Sequence, residues 1–463
     1  MAQKPAPKQD NWAYNIKFTI KGLNKGDTIL LANYWADKQL LKDTAIVTDA
    51  NGNFAFTGKE SLPGGIYMVV LPGKQYFEII ISGTEKTFTM ETMTTDYTKY
   101  MKSTGTLENK AFYDYLKFVV EKGKNAERLK VLMDSSKIED STKAIRSRIG
   151  NIEKEIFDYR KNFIANNPTL FVSKVFKSMM EPEIPETPKL SNGRPDSTFP
   201  YRYYKTHFFD NLDLADDRMI RTPVFQPRVA RYFKDMILQI PDSINKEADQ
   251  VIAKTKNEKG EIYKYIVWYV TNQYETSQIM GMDAVFVHMA ENYYLTGKAY
   301  WINEETENKI RNRYNILKYV LLGKFAPPLT LPDTSNKNKS FTSIKAKYTV
   351  LWFWDPDCGH CQKETPKLRA LYDSTKSKYN WEVYAVNTKT EPAPWKTFIK
   401  ANKLNWINVY DPQHTSGFQT IYDIYSTPTL YLLDESKKII GKRLGVEQLP
   451  DFFINYDRMK NGK

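Results

Sequence analysis

Only two cysteines occur in the 463 residues, Cys358 and Cys361, and they lie three positions apart. Random placement gives that separation in roughly one chain in 230, so the pair needs a reason. A structural disulfide framework needs more cysteines, spaced further apart. A tetrahedral zinc site needs two more ligands nearby. The four histidines are His207, His288, His360 and His414, and only His360 is close. The apolar run YTVLWFW ends just before the pair, and a helical pattern follows. A fold for this chain must therefore present two thiols at a strand-to-helix turn. The competing reading is a structural or vestigial pair.

The turn reads Trp354-Asp355-Pro356-Asp357-Cys358-Gly359-His360-Cys361. A helix N-terminus points unpaired N–H groups and the positive end of its dipole at the first thiol. That favours the thiolate, which is the nucleophile. Two intervening residues let the sulfurs close a disulfide across one helical turn. Cys358 then attacks a substrate disulfide, and Cys361, one turn deeper, resolves the mixed disulfide. His360 adds positive charge beside the pair and pulls the first pKa down, while Asp355 and Asp357 push the other way. The two sulfurs carry the electrons as a redox-active disulfide, so the reaction requires no bound cofactor.

Beyond the pair the pattern alternates. A helix spans Cys358 to Tyr372, followed by strand WEVYAVNT, a helix around Trp395–Ala401 and strand WINVYD. A short helix, strands TLYLLD and KKIIGKR, and a last helix near 447–458 complete it. This predicts an α/β layered sheet with mixed strand directions over residues 325–463. The segment KFAPPLTLPDTSNKNKS marks its boundary.

Upstream the periodicity is different. Residues 1–13 read as a flexible tail. Residues 14–96 alternate with period two, as in YNIKFTIKG and GIYMVVL, which predicts a small antiparallel all-β domain. Asn51-Gly52-Asn53, between TAIVTD and FAFTG, predicts a hairpin. Residues 97–322 then read as an all-α domain. Phe112, Leu116 and Val119 mark one helix, and Ile145, Ile149, Ile152, Ile156, Tyr159 and Phe163 mark another, stopped by Asn166-Asn167-Pro168. Five prolines between residues 181 and 200 predict an irregular connection. Helical patterns resume near Val229–Ile240, Tyr263–Tyr274, Met282–Tyr294 and Glu305–Leu322.

The net charge of +13 is spread along the chain, since residues 325–463 hold 20 Lys and Arg against 14 Asp and Glu. A nucleic-acid binder concentrates such charge, so nucleic acid is not expected as a partner. No run approaches ~18 apolar residues, so no membrane span is expected. The opening MAQKPAPKQDNW has no apolar core of a signal peptide.

Phe353-Trp354, the Cys358-Gly359-His360-Cys361 motif, and Thr427-Pro428-Thr429 entering a strand together resemble the thioredoxin superfamily. Pro428 lies 67 residues after Cys361, a longer interval than in plain thioredoxin. With Glu364, Pro366 and Leu368 after Cys361, the chain looks like the TlpA/ResA-type branch of thiol-disulfide oxidoreductases. The resemblance implies a cis Pro428 beside the sulfurs and a Thr427 backbone that pairs with bound substrate. It also implies Glu364 relaying protons to the thiols, while Trp354, an aromatic beside a turn, reads as both core and substrate-binding rim of the site. Asp357 stands where plain thioredoxin has Trp, and Trp352 where it has a buried Asp. The segments KDTAIVTDANGNFAFTG and SQIMGMDAVFVHMAENYY resemble the β and helical domains of related Bacteroidetes proteins. The whole then implies a periplasmic or cell-envelope reductase of protein disulfides, exported by a signal absent from this sequence. Its implied partners are disulfide-bearing client proteins, a membrane-bound electron donor and a second copy of the chain.

Two other functions compete: a disulfide oxidase or isomerase, and a non-catalytic scaffold of an envelope complex. Met280, Met282, His288 and Met289 could suggest a soft-metal site, but helical packing is the stronger reading and no metal is expected. FPYRYYKTHFF (199–209) reads as a partner surface or as a loop packed on the helices.

Overall fold

Period-two patterning becomes two β-sheets in the N-terminal part of the computed structural model, which describes residues 12–135, 139–460 and 462. Most of the expected tail therefore lies outside the described residues. The strands are β1 (Tyr14–Lys21), β2 (Thr28–Trp35), β3 (Lys38–Ile46), β4 (Asn53–Gly58), β5 (Gly65–Val70), β6 (Tyr76–Ile81), β7 (Thr87–Met93) and β8 (Lys102–Thr104). One sheet has the order β4-β1-β7-β8 and the other β3-β2-β5-β6. Ile16, Phe18 and Ile20 of β1 are buried while Lys17 points out, as the alternation requires. Phe18 stacks on Phe54 at 5.0 Å and reaches Phe77 of β6 at 6.2 Å, centroid to centroid.

Two expectations for this region need correction. The sheets are not wholly antiparallel, because β1 pairs with β7 in parallel. The turn at Asn51-Gly52-Asn53 forms, with Thr48 N–H donating to Asn53 O at 2.7 Å and Gly52 at φ +79°. Yet β3 pairs with β2 and β4 with β1, in different sheets. A side chain on Gly52 would clash with the Ile20 carbonyl, so the turn lies against β1 and passes the chain from one sheet to the other.

The middle region is helical: α1 (Tyr97–Tyr100), α2 (Leu107–Ser135), α3 (Glu139–Asn166), α4 (Phe171–Ser178), α5 (Phe199–Thr206), α6 (Phe225–Asp235), α7 (Pro241–Ala253), α8 (Glu261–Glu275), α9 (Asp283–Met289) and α10 (Glu304–Leu317). The single helix expected over Val229–Ile240 ends at Asp235, and Pro241, fit for a first helical position, opens α7. A wide π turn over Ala290–Tyr294 extends α9.

The described residues form two compact units, one up to Ile237 together with Ile252–Tyr263, the other Leu238–Val251 together with Lys264 onward. In the first, Asn109 of α2 pairs with both the N–H and the C=O of Ile80, at 2.7 and 2.8 Å, and so occupies the edge strand β6. The buried Glu108 carboxylate caps α4, accepting the Phe171 and Val172 N–H groups at 2.8 Å each. The aromatic run at 199–209 forms α5 and a turn, with Phe208 and Phe209 buried and Tyr201 exposed.

The second unit holds the sheet expected from the C-terminal pattern. A hairpin of β9 (Thr330–Pro332) and β10 (Asn338–Ser340) precedes it. The sheet contains β11 (Tyr348–Trp354), β12 (Trp381–Asn387), β13 (Ile407–Tyr410), β14 (Thr429–Leu433) and β15 (Ile439–Lys442), in the order β13-β12-β11-β14-β15. Strands β11, β12 and β13 pair in parallel, β14 pairs antiparallel with β11, and β15 pairs antiparallel with β14. Helices α11 (Gly359–Tyr379), α12 (Pro392–Ala401) and α13 (Phe418–Ile421) join successive strands from β11 to β14, and α14 (Leu449–Lys460) follows β15. All seven residues of the central strand β11 are buried, so both faces are covered. Trp352 and Trp354 face a core with Trp381, Trp395 and Phe453, whereas Leu351 and Phe353 face Tyr384, Tyr431, Phe286 and Leu317. Met282 and Met289 are buried in packing, and His288 Nε2 lies 2.8 Å from Asp249 Oδ1.

Candidate active site

Strand β11 ends at Trp354, whose carbonyl accepts the Thr388 N–H at 2.9 Å. The chain then turns sharply. Asp355 Oδ1 accepts the Asp357 N–H at 2.8 Å, the Cys358 N–H reaches Asp355 O at 3.2 Å, and Gln362 Nε2 donates to Pro356 O at 2.9 Å. These bonds place Cys358 at the N-cap of α11, a helix of 21 residues. The expected end at Tyr372 is exceeded: the helix carries Pro366 within it, and no Gly or Pro follows between Tyr372 and Asn380, which takes the left-handed cap conformation.

Both cysteines are free thiols, Cys358 half-buried and Cys361 fully buried. The Thr427-Pro428 peptide bond is cis. Cys358 Sγ donates to the Thr427 carbonyl at 3.3 Å, which brings the helix N-terminus and the proline loop together. Cys361 Sγ accepts the Asp355 N–H at 3.4 Å.

The two sulfurs differ in acidity for physical reasons. Burial raises the Cys358 pKa, but the Cys361 N–H, Thr427, the Cys361 thiol and the His360 N–H together outweigh it, and the net shift is downward. Burial dominates at Cys361 and pushes its pKa up to about 12 despite the Asp355 N–H. The result is one thiol prepared to attack and one held protonated.

The other residues singled out in the sequence lie as follows. His360 is exposed, and its backbone N–H is among the groups that lower the Cys358 pKa. Glu364, one turn past Cys361, is partly buried and pairs with Lys367 at 2.7 Å. Trp354 is 0 % exposed and packs on Phe398 at 5.1 Å. It therefore forms the floor of the site and not its rim. Lys389, which the sequence reading passed over, lies 3.5 Å from Asp355 Oδ2. Its signal was its position after β12, since neighbouring parallel strands bring their C-terminal ends together. Among the described residues no cluster of three His, Cys, Asp or Glu could hold a metal, and no helix is long and apolar enough to cross a membrane.

A family model described as the AhpC/TSA family matches residues 322–442. Two more, described as domains of unknown function DUF4369 and DUF5106, match residues 14–112 and 136–320. Sporulation thiol-disulfide oxidoreductase A of Bacillus subtilis is 33% identical over 113 residues, covering 23% of this chain and 67% of that protein. Thiol-disulfide oxidoreductase ResA of Bacillus cereus is 29% identical over 126 residues, covering 27% of this chain and 70% of that protein. The solved structure of a domain of a "possible thiol-disulfide isomerase" from Cytophaga hutchinsonii is 44% identical, covering 31% of this chain and 97% of that one, with a TM-score of 0.30. With a dithiol at a helix N-terminus and the kinship to the Bacillus subtilis oxidoreductase, the chain belongs to the thioredoxin-like thiol-disulfide oxidoreductases.

Proposed function

We propose that this oxidoreductase reduces disulfide bonds of exported proteins, with Cys358 as nucleophile. The Cys358 thiolate attacks one sulfur of a client disulfide. The client S–S bond breaks, its other sulfur leaves as a thiol on taking a proton, and a mixed disulfide forms. Cys361 then loses its proton and attacks Cys358 Sγ, releasing the second client thiol. The client gains two electrons and the pair closes as Cys358–Cys361. The Thr427 backbone beside Pro428 pairs with the client chain, and Glu364 passes the proton of Cys361 to solvent. No bound cofactor takes part.

One observation carries this reading: a partly exposed Cys358 Sγ, 3.3 Å from the Thr427 carbonyl, with its partner Cys361 buried behind it. Location in the periplasm or cell envelope, and reduction by a membrane-bound donor, rest on the resemblance to the TlpA/ResA branch. The division at residues 14–96, 97–322 and 325–463 leaves the first two parts to position clients, anchor a complex or support dimerisation.

Cys361→Ser keeps the attacking thiol and removes the resolver. Expression of this variant in the envelope is expected to accumulate mixed disulfides through Cys358, visible on non-reducing gels and lost in Cys358→Ser. An absence of linked species in Cys361→Ser would contradict the mechanism. A second reading, oxidase or isomerase, is favoured by the lowered pKa of Cys358, because stabilising a thiolate stabilises the reduced form. A reduction potential well above the glutathione couple would select it.

A further inference from the structure

Between α13 and β14, the loop Tyr422–Pro428 carries the carbonyl that touches Cys358, and its anchoring comes in part from outside the α/β layers. We infer that Arg313 of α10 is a positioning residue for client binding, which with Arg443 holds Asp423 and so fixes Tyr425 and Thr427 as a client-contacting edge. The inference rests on the reading that Thr427 meets a client chain.

Asp423 takes a left-handed backbone, φ +56°, and its side chain is 1% exposed. A carboxylate so buried is costly unless paired and hydrogen-bonded. Both of its oxygens are paired: Arg313 Nη1 donates to Oδ1, and Arg443 Nη2 to Oδ2 at 2.9 Å. Arg443 is tied in turn to β14, its N–H donating to Leu430 O at 2.8 Å.

Arg313 does more than neutralise a charge. Its Nη1 also lies 3.2 Å from Tyr425 Oη, and the guanidinium sits 5.1 Å from the ring centroid. Tyr425 is 75% exposed, yet one face of its ring is held by the cation. Two residues later comes the Thr427 carbonyl. The other bonds of the loop run to α13, β14 and Pro327: Ile424 N–H donates to Gln419 O at 2.8 Å, Tyr431 Oη to Tyr422 O at 2.6 Å, Thr429 Oγ1 to Ser426 O at 2.6 Å, and Tyr422 Oη to Pro327 O. Among the described residues, Arg313 is the partner shown for the Tyr425 side chain. A polypeptide paired along Thr427 meets this tyrosine as a flat apolar contact beside a fixed positive charge.

The clamp predicts a difference between large and small substrates. The full chain, regenerated with dithiothreitol, is assayed on insulin and on 5,5′-dithiobis(2-nitrobenzoate). Arg313→Gln is expected to raise the KM for insulin about tenfold and that for the small disulfide about twofold or less, with partial recovery in Arg313→Lys. Tyr425→Ala leaves the buried pair intact and is expected to raise the insulin KM alone. Equal KM effects on both substrates, or an unchanged insulin KM in either variant, overturn the inference while leaving the dithiol mechanism standing. A wild-type chain that reduces neither substrate overturns the mechanism, and the inference with it.

Discussion

The two faces of the C-terminal sheet are built from alternate residues of the same strands, yet they hold the site in different ways. On the face that bears Cys361, the frame is tryptophan: Trp352, Trp354, Trp381, Trp395 and Trp406 pack with α11, α12 and α14. Their contribution is bulk and dryness. The indole N–H groups of Trp354 and Trp395 have no hydrogen-bond partner among the described residues, so packing and not polar bonding positions them. On the other face the large side chains include tyrosines whose hydroxyls reach backbone carbonyls. Tyr384 donates to Lys339 O at 2.9 Å, Tyr422 to Pro327 O, and Tyr431 to Tyr422 O at 2.6 Å. One face thus sets the acidity of the buried sulfur by excluding water, and the other ties down the loop that faces the exposed sulfur.

Mutations on the two faces should therefore fail in different ways. Trp354→Ala is expected to have the largest effect, a loss of about 3–5 kcal/mol of stability from the cavity it leaves. Denaturant melts measure it, and a loss below about 1 kcal/mol would show that the frame is not packed as described. Tyr431→Phe removes one hydroxyl and keeps the ring, at a cost of about 1 kcal/mol. The loss should fall more on insulin reduction than on global stability, because Tyr431 holds the Tyr422 carbonyl of the proline loop. Equal losses at the two sites would erase the distinction between the faces. Smallest is Glu364→Gln, where the pair with Lys367 is partly solvated and contributes at most about 1 kcal/mol. A slower resolving step in that variant, with stability unchanged, would sharpen the role of Glu364 in proton transfer.

Much of this arrangement could be read from local sequence, and some could not. The cysteine spacing, the apolar strand before it and Thr427-Pro428 each carry their meaning within a few residues. The N-terminal turn at Asn51-Gly52-Asn53 shows where local reading ends. Its residues specify the bend, but whether the flanking strands pair is decided by β1 and β2, which compete for them. The second face of the C-terminal sheet is similar. Phe286 and Leu317 carry an ordinary helical pattern, and nothing in that pattern names Phe353 and Tyr431 as neighbours in the same core. Asp423 looks like a loop residue in the sequence. Only the fold brings Arg313, 110 residues away, to its carboxylate.

The division of labour between the sulfurs is tested most directly by following alkylation of the reduced protein with iodoacetamide across pH, with each cysteine read by mass spectrometry. Reactivity belongs to the thiolate, so a lowered pKa moves the rise in rate to lower pH and a raised one moves it to higher pH. Cys358 is expected to rise and reach its plateau below the range of an ordinary thiol, while Cys361 stays unmodified until the pH nears about 12. If the two thiols rise together, or Cys361 reacts first, the account of an attacking and a withheld sulfur is wrong.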